Sequence, residues 1–296
     1  MNTYFVIVNY CGAHDTVGAI NSIIRANERA GGNSHIIVVD NKSPHNGLEI
    51  IQEALDFSFY EETPFMGLSC FRSMKDTCQL IFIQNNSNAG FGAGNNIGIN
   101  YVKSNILNES NDVLILLNND TEVEDDFILK VKKYVSKHNW KSAFSVKSIN
   151  YYTNEIDSEG FGFVNLMTGR SSHKKSCKYN YLVGSCIIIN TISEIPLFDE
   201  KFFLYYEDAD YSNLLRNKGY ALSYDVSNRF YHKVSASSKL NPFIENIKKV
   251  SMIRFMRKNA SYAQNVIFFL IRFGVYMLKL RLKDIKQLFV EYARPL

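Results

Sequence analysis

Four short runs that are apolar throughout, at residues 4–8, 36–39, 80–83 and 113–117, constrain this chain more than any other feature. Each has the length of a strand, and none alternates apolar with polar residues. That is the pattern of strands covered on both faces, as in a buried parallel sheet. Helical patterns occupy the first gap at residues 16–29 and the third at 93–102, and a further one at 124–138 follows the fourth run. The acids that open this last segment suit a helix N-terminus. Strands alternating with helices across short connections predict a doubly wound α/β sheet. In such sheets ligands bind beyond the carboxyl ends of the strands.

Polar residues gather at those ends. The first run stops at Asn9-Tyr10, the second at Asp40-Asn41-Lys42-Ser43, the third at Gln84-Asn85-Asn86 and the fourth at Asn118-Asn119-Asp120. Asn and Asp also cap helices and build turns, but four such ends on one edge favour a binding surface. Behind the third run comes Asn88-Ala-Gly-Phe-Gly-Ala-Gly-Asn-Asn-Ile-Gly98. A glycine-rich turn there lets backbone N–H groups approach a diphosphate, while amides bind ribose or phosphate oxygens. It is neither a dinucleotide fingerprint nor a Walker loop, and a tight turn with close helix packing stays open as its alternative. Further on, Phe198-Asp-Glu-Lys-Phe-Phe-Leu-Tyr-Tyr-Glu-Asp-Ala-Asp210 sets Glu207, Asp208 and Asp210 directly behind aromatics, with His232 shortly after. Acids placed against an apolar wall cost folding energy unless they bind a cation or move a proton.

The remaining features bound the class. Lys and Arg number 33 against 29 Asp and Glu, a net charge of +4, too balanced for a nucleic-acid binder that works by neutralising phosphates. Five cysteines with no C-x-x-C pair argue against a disulfide framework or structural zinc and read as reduced thiols in a cytoplasm. The first residues show no basic region or cleavage site, so the reading predicts no secretory signal. Residues 145–185 read as strands and long loops with a basic piece at 173–178, and residues 181–190 as one more buried strand in which Gly184 permits a close approach. The excess of positive charge falls in a final helical region, 241–291. Its apolar stretch 265–279 is interrupted by Arg272 and is too short to span a bilayer. It predicts a helix lying on anionic lipid or one packed on the protein.

Taken together, residues 38–43, 88–98, 116–121 and 198–210 resemble glycosyltransferase family 2, most closely its rhamnosyltransferase-like branch, and the likeness covers roughly residues 1–235. The resemblance implies a GT-A nucleotide-diphospho-sugar transferase fold, an α/β Rossmann-like mixed sheet flanked by helices. Residues 1–235 would be the catalytic domain and 236–296 a helical, basic C-terminal extension. It implies that Asp40 accepts a hydrogen bond from the donor nucleobase. Asn88, Gly90, Phe91 and Gly92 would line the nucleotide-sugar cleft together with Asn9, Asn95, Asn96 and Asn119. Asp120 would be the acid of a D-x-D-type signature that holds Mg²⁺ or Mn²⁺ against the diphosphate, with Asn118 in place of its first acid and His232 completing the cation site. Asp208 would be the catalytic base, with a pKa raised by like charges and aromatics, and Glu207 and Asp210 would orient the acceptor or pair with Arg216.

The implied activity is inverting transfer of a sugar, rhamnose from dTDP-rhamnose first, onto a cell-surface polysaccharide or lipid-linked saccharide at the cytoplasmic face of the membrane. A galactofuranosyl- or hexosyltransferase using a UDP-sugar is the nearest alternative. A non-catalytic nucleotide-sugar-binding scaffold is the other, because Asn118 brings no charge. A sugar-phosphate nucleotidyltransferase would need its glycine-rich activating loop after the first strand, and Asn9-Tyr-Cys-Gly-Ala13 does not resemble one.

Overall fold

In the computed structural model, residues 1–75, 78–105, 112–138, 141–173, 181–233 and 241–295 are described. The four apolar runs become β1 (Thr3–Asn9), β2 (Ser34–Asp40), β5 (Cys78–Gln84) and β6 (Val113–Asn118). They lie side by side in the order β5-β2-β1-β6, all parallel. The inner residues of these strands, such as Phe5, Val38, Phe82 and Ile115, are fully buried. Burial on both faces is the reason the pattern does not alternate.

Around this core the sheet is mixed. On one side it continues through the antiparallel hairpin β3 (Tyr60–Phe65) and β4 (Leu68–Lys75). On the other it runs from β6 to β13 (Cys186–Asn190), β8 (Ser142–Asn150), β14 (Ala221–His232) and β7 (Thr121–Val123), with β9 (Ile156–Ser158) beside β8. A small second sheet joins β10 (Phe161–Val164), β11 (Ser171–Ser172) and β12 (Tyr181–Leu182). The helices α1 (Ala13–Ala30), α2 (Gly47–Leu55), α3 (Phe91–Asn105), α4 (Phe127–Lys137) and α5 (Glu207–Asn217) cover the sheet.

Three expectations change here. The second gap holds α2 and a β-hairpin, which the apolar pattern does not disclose. The stretch 181–190 is two strands broken by a turn at Val183–Ser185, because β12 pairs with the small sheet and β13 with the large one. The glycine-asparagine segment is mostly helix: α3 begins at Phe91, so Gly92, Gly94, Asn95, Asn96 and Gly98 lie inside it. Gly94 and Gly98, four apart on one helix face, rest on Val8 and Val6, two apart on one strand face. A Cβ on Gly98 would stand 2.3 Å from Val6 Cγ1, and one on Gly94 would stand 2.7 Å from Val8 Cγ1. Close packing of helix on sheet is what those two glycines allow.

The C-terminal region forms α6 (Pro242–Asn259), α7 (Tyr262–Leu278) and α8 (Leu282–Ala293). Met252, Ile253, Phe255, Met256 and Phe268 from these helices form one core with Phe202, Tyr206 and Ala209. Among the described residues no helix is long and apolar enough to cross a membrane. Cys11, Cys70, Cys78 and Cys186 are free thiols; Cys177 lies outside the described residues, as do residues 174–178 of the basic piece.

Candidate active site

The polar strand ends do meet at one edge, and they are tied to one another. Asp40, 1% exposed, accepts from Asn9 Nδ2 (2.6 Å) and Ser43 Oγ (2.7 Å) on one oxygen. Its other oxygen accepts from Ser43 N (2.7 Å) and Gln84 Nε2 (2.8 Å). A carboxylate has about four acceptor positions, and all are occupied from within the protein. These four donors hold Asp40 at the rim of the cleft, where the expected contact with a donor nucleobase would be made. Asn9, fully buried, accepts from Gly12 N (3.2 Å) and Thr16 Oγ1 (3.1 Å) and so sets the start of α1. Asn119 Nδ2 donates to Gly12 O at 3.2 Å and Thr16 Oγ1 at 3.3 Å.

Asn95 and Asn96 are also turned inward. Asn95 donates to Phe91 O (3.0 Å) within its own helix. Asn96 donates to Phe198 O (3.0 Å) and Glu200 Oε1 (2.9 Å) and accepts from Phe198 N (2.7 Å). It clamps the aromatic segment to α3. Asn88 remains half-buried and accepts from Gly90 N (3.1 Å). Gly90 has φ +96°, and a Cβ there would stand 2.2 Å from Phe203 O. Only glycine lets the loop pass so close to the segment leading to the acids. Phe91 is half-buried edge-to-face against Phe198 (6.2 Å between centroids), and Gly92 packs on the same residue.

The two acidic motifs meet across the turn at 183–185. Asn118 N donates to Ser185 O (3.0 Å), and Gly184 N donates to Asp208 Oδ2 (3.1 Å). The second oxygen of Asp208 accepts from Ala209 N (2.8 Å) at the start of α5. Gly184 eases this approach: a Cβ would lie 3.2 Å from that of Asp208, tighter than carbons normally pack. The two residues just before Glu207, Tyr205 (φ 68°) and Tyr206 (φ 64°), hold left-handed backbone. Bulky residues adopt it at a cost of about 1–3 kcal/mol each, and such strain collects at functional sites.

Burial raises the pKa of Asp208, against the nearby His173 and the two backbone donors. Burial, and next the charge of Asp208, push Glu207 up to about 8, and Glu207 Oε2 has no hydrogen-bond partner. Between the ordinary value of 4.5 and about 8 the folded chain keeps a proton that the unfolded chain has released. Stability therefore falls as pH rises across that window. Glu207→Gln is expected to be more stable than wild type at the upper end of the window by at least about 1.4 kcal/mol, with the difference fading towards its lower end. Denaturant midpoints that differ by the same amount at every pH would refute this.

Asp210 does not join the acceptor side. It is buried and bound by Lys258 Nζ (2.8 Å) and Asn259 Nδ2 (2.9 Å) from α6, while Arg216 donates to Asn213 Oδ1 (2.9 Å). The expected roles of Asp210 in acceptor orientation and in pairing with Arg216 are corrected to anchoring α6.

At the end of β6, Asn118 Oδ1 is buried without a hydrogen-bond partner. The pairing of β14 with β7 sets His232 opposite Thr121. This brings His232 Nε2 to 3.3 Å from Asp120 Oδ1 and Nδ1 to 3.2 Å from Asp157 Oδ2, an ion-pair chain. Burial alone would lower the His232 pKa, but the two carboxylates push it up to about 9. Among the described residues no three His, Cys, Asp or Glu side chains are grouped to hold a metal. The orphaned oxygen of Asn118 and the neighbouring Asp120 carboxylate still fit a hard cation of the Mg²⁺ type, which takes one or two protein oxygens and completes its shell with water and substrate phosphate. Asp157, 75 positions from His232 in sequence, was not foreseeable without the sheet register.

A model of glycosyl transferase family 2 matches residues 4–189, more than half of the chain. No curated protein matches the sequence. S. aureus TarS is 13% identical, with a TM-score of 0.56 over 92% of this chain. The chain spans only 42% of the length of that protein. S. aureus TarS 1-349 in complex with UDP-GlcNAc is 13% identical, with a TM-score of 0.51 over 92% of this chain and 80% of its own. The mannosyltransferase PcManGT from Pyrobaculum calidifontis, in complex with GDP-Man and Mn²⁺, is 10% identical, with a TM-score of 0.55 over 99% of this chain and 76% of its own. At these identities the likeness concerns the fold.

Proposed function

Because this chain belongs to glycosyl transferase family 2, we propose that it moves a sugar from a nucleoside-diphosphate donor to an acceptor hydroxyl with inversion, Asp208 serving as the base. The observation that carries this reading is the turn at 183–185, which ties Asn118 at the end of β6 to Asp208 at the start of α5. Donor phosphates would lie on the Asn118–Asp120 side and the acceptor hydroxyl on the Asp208 side. The acceptor oxygen bonds to the anomeric carbon from the face opposite the leaving group, the bond from that carbon to the phosphate oxygen breaks, and Asp208 takes the hydroxyl proton. Its raised pKa makes the carboxylate a stronger base, and its two backbone N–H donors hold it in place.

Asp120, Asn118 and His232 would hold a divalent cation, which when bound offsets the charge on the departing nucleoside diphosphate. His232 would have to give up its proton to join the ligands. Asp120→Ala is expected to weaken donor affinity about tenfold or more in Mn²⁺, the loss of one charge-assisted contact. Unchanged calorimetric affinity would remove Asp120 from that role.

The motifs shared with the rhamnosyltransferase-like branch make a dTDP-linked deoxyhexose the first donor to test and UDP-hexoses the second. The acceptor we propose is a lipid-linked saccharide or growing cell-surface polysaccharide at the inner face of the membrane. In support, α7, α8 and the link between them expose Leu270, Leu278, Leu280, Leu282 and Phe289 among basic residues. A panel of nucleotide sugars with Mn²⁺ in thermal shift tests donor binding, since a donor stabilises the fold by mass action. A donor that binds yet is neither hydrolysed nor transferred would turn the reading to a non-catalytic scaffold.

A further inference from the structure

We infer that a basic pocket between α6, α7 and the segment around Arg170 holds the phosphate of a lipid-anchored acceptor; this rests on the transferase reading above. The pocket is a cavity of about 350 Å³ whose walls include Arg170, Lys248, Lys249, Arg272, Lys279 and Arg281, with Glu245 as the lining acid. Lys249 and Arg281 share one carboxylate, Asp284, at 2.9 and 2.5 Å. Among the described residues, Arg170, Lys248, Arg272 and Lys279 have no carboxylate within the 4.0 Å of an ion pair. Arg272 donates to Thr168 O, and its Nε is buried without a hydrogen-bond partner. Cations that face one cavity without counter-ions repel one another, and an anion relieves this. Phosphate suits it, because its oxygens match the fork of arginine.

A larger cavity, about 640 Å³, around Arg25, Glu124 and Arg229 makes the contrast. There the charges pair among themselves, Arg229 with Glu124 at 2.6 Å and Arg25 with Asp125 at 3.4 Å.

The position of the basic pocket decides the ligand. Tyr206 lines it, donating to Gly169 O at 2.7 Å, and stands two residues before Asp208. Arg170 stands at the pocket, whereas His173 lies close enough to Asp208 to influence its proton. Three extended residues cover about 10 Å, so a phosphate bound here leaves room for a sugar to reach the base. On the outer side, Lys279 is flanked by Leu278 and Leu280, 88% and 84% exposed. Basic residues beside exposed apolar ones suit a site where the anchor is hydrocarbon.

The test is flotation of the full chain with phosphatidylcholine vesicles that carry either a long-chain prenyl diphosphate or, at matched charge, phosphatidylglycerol. Wild type should prefer the prenyl diphosphate. Arg170→Gln with Lys248→Gln, both exposed in the fold, should weaken that binding about thirtyfold, two basic contacts' worth. Lys283→Gln with Lys286→Gln, exposed on α8, removes equal charge outside the pocket and should weaken it far less. Equal losses for both pairs, or no preference for the prenyl diphosphate, would overturn the inference in favour of general attraction to anionic headgroups. Donor thermal shift on the same proteins is read separately: if wild type shows none, the transferase reading fails, whatever the vesicles show.

Discussion

Asp208→Asn is expected to lower the transfer rate by about 10²–10⁴-fold, the typical worth of a general base, while the nucleotide-sugar thermal shift persists. The amide keeps the shape of the carboxylate but cannot take the acceptor proton. One of its ends would face a backbone N–H donor, Gly184 or Ala209, at a cost of about 1 kcal/mol. Burial that disfavours the charged acid works in the other direction, so the fold should survive. In wild type the acid limb of kcat/KM should lie above the ordinary aspartate value of 3.8, because burial raises this carboxyl. Glu207 is its neighbour, and the limb belongs to the pair. A variant that keeps more than about a tenth of wild-type turnover would take the base role from Asp208.

Which parts of this could be read in the sequence follows from what leaves a local signal. β1, β2, β5 and β6 could, because burial on both faces forces apolar runs. The β3–β4 hairpin could not: β3 is largely exposed, so no pattern marks it. Residue type singled out Asn9, Asp40, Asn95 and Asn96, yet an asparagine that clamps two segments looks the same in sequence as one that binds a ligand. The structure separates them by partners: Asn96 holds Phe198 and Glu200, and Asp40 has four internal donors. Residues that close one strand lie together from sequence alone, as Asn118 and Asp120 do at the end of β6. Partners brought together by distant register leave no such signal, as with Asp157 beside His232, or Gly184 beneath Asp208.

The same limit hid the anchoring role of Asp210, which makes Lys258→Met the substitution with the largest expected effect on stability. Asp210 has a side chain 1% exposed, against 30% for Lys258. Without the ammonium, a buried carboxylate keeps only the neutral amide of Asn259, at 2.9 Å. Breaking a buried pair from one side costs about 3–5 kcal/mol, and the partial exposure of Lys258 places the expectation near the lower end, about 3 kcal/mol. Lys258 also reaches Asp199 at 2.7 Å, so its loss loosens the aromatic segment together with α5. Because α5 begins with Glu207 and Asp208, activity should fall more than the folded fraction does. Adding Asp210→Asn removes the stranded charge and should recover much of the stability, since a buried pair replaced from both sides is often close to neutral. Urea denaturation of the single and double variants decides the matter. A single variant as stable as wild type would mean that α6 is held to α5 by its other contacts; a double variant less stable than the single would mean that the carboxylate stabilises the junction by itself.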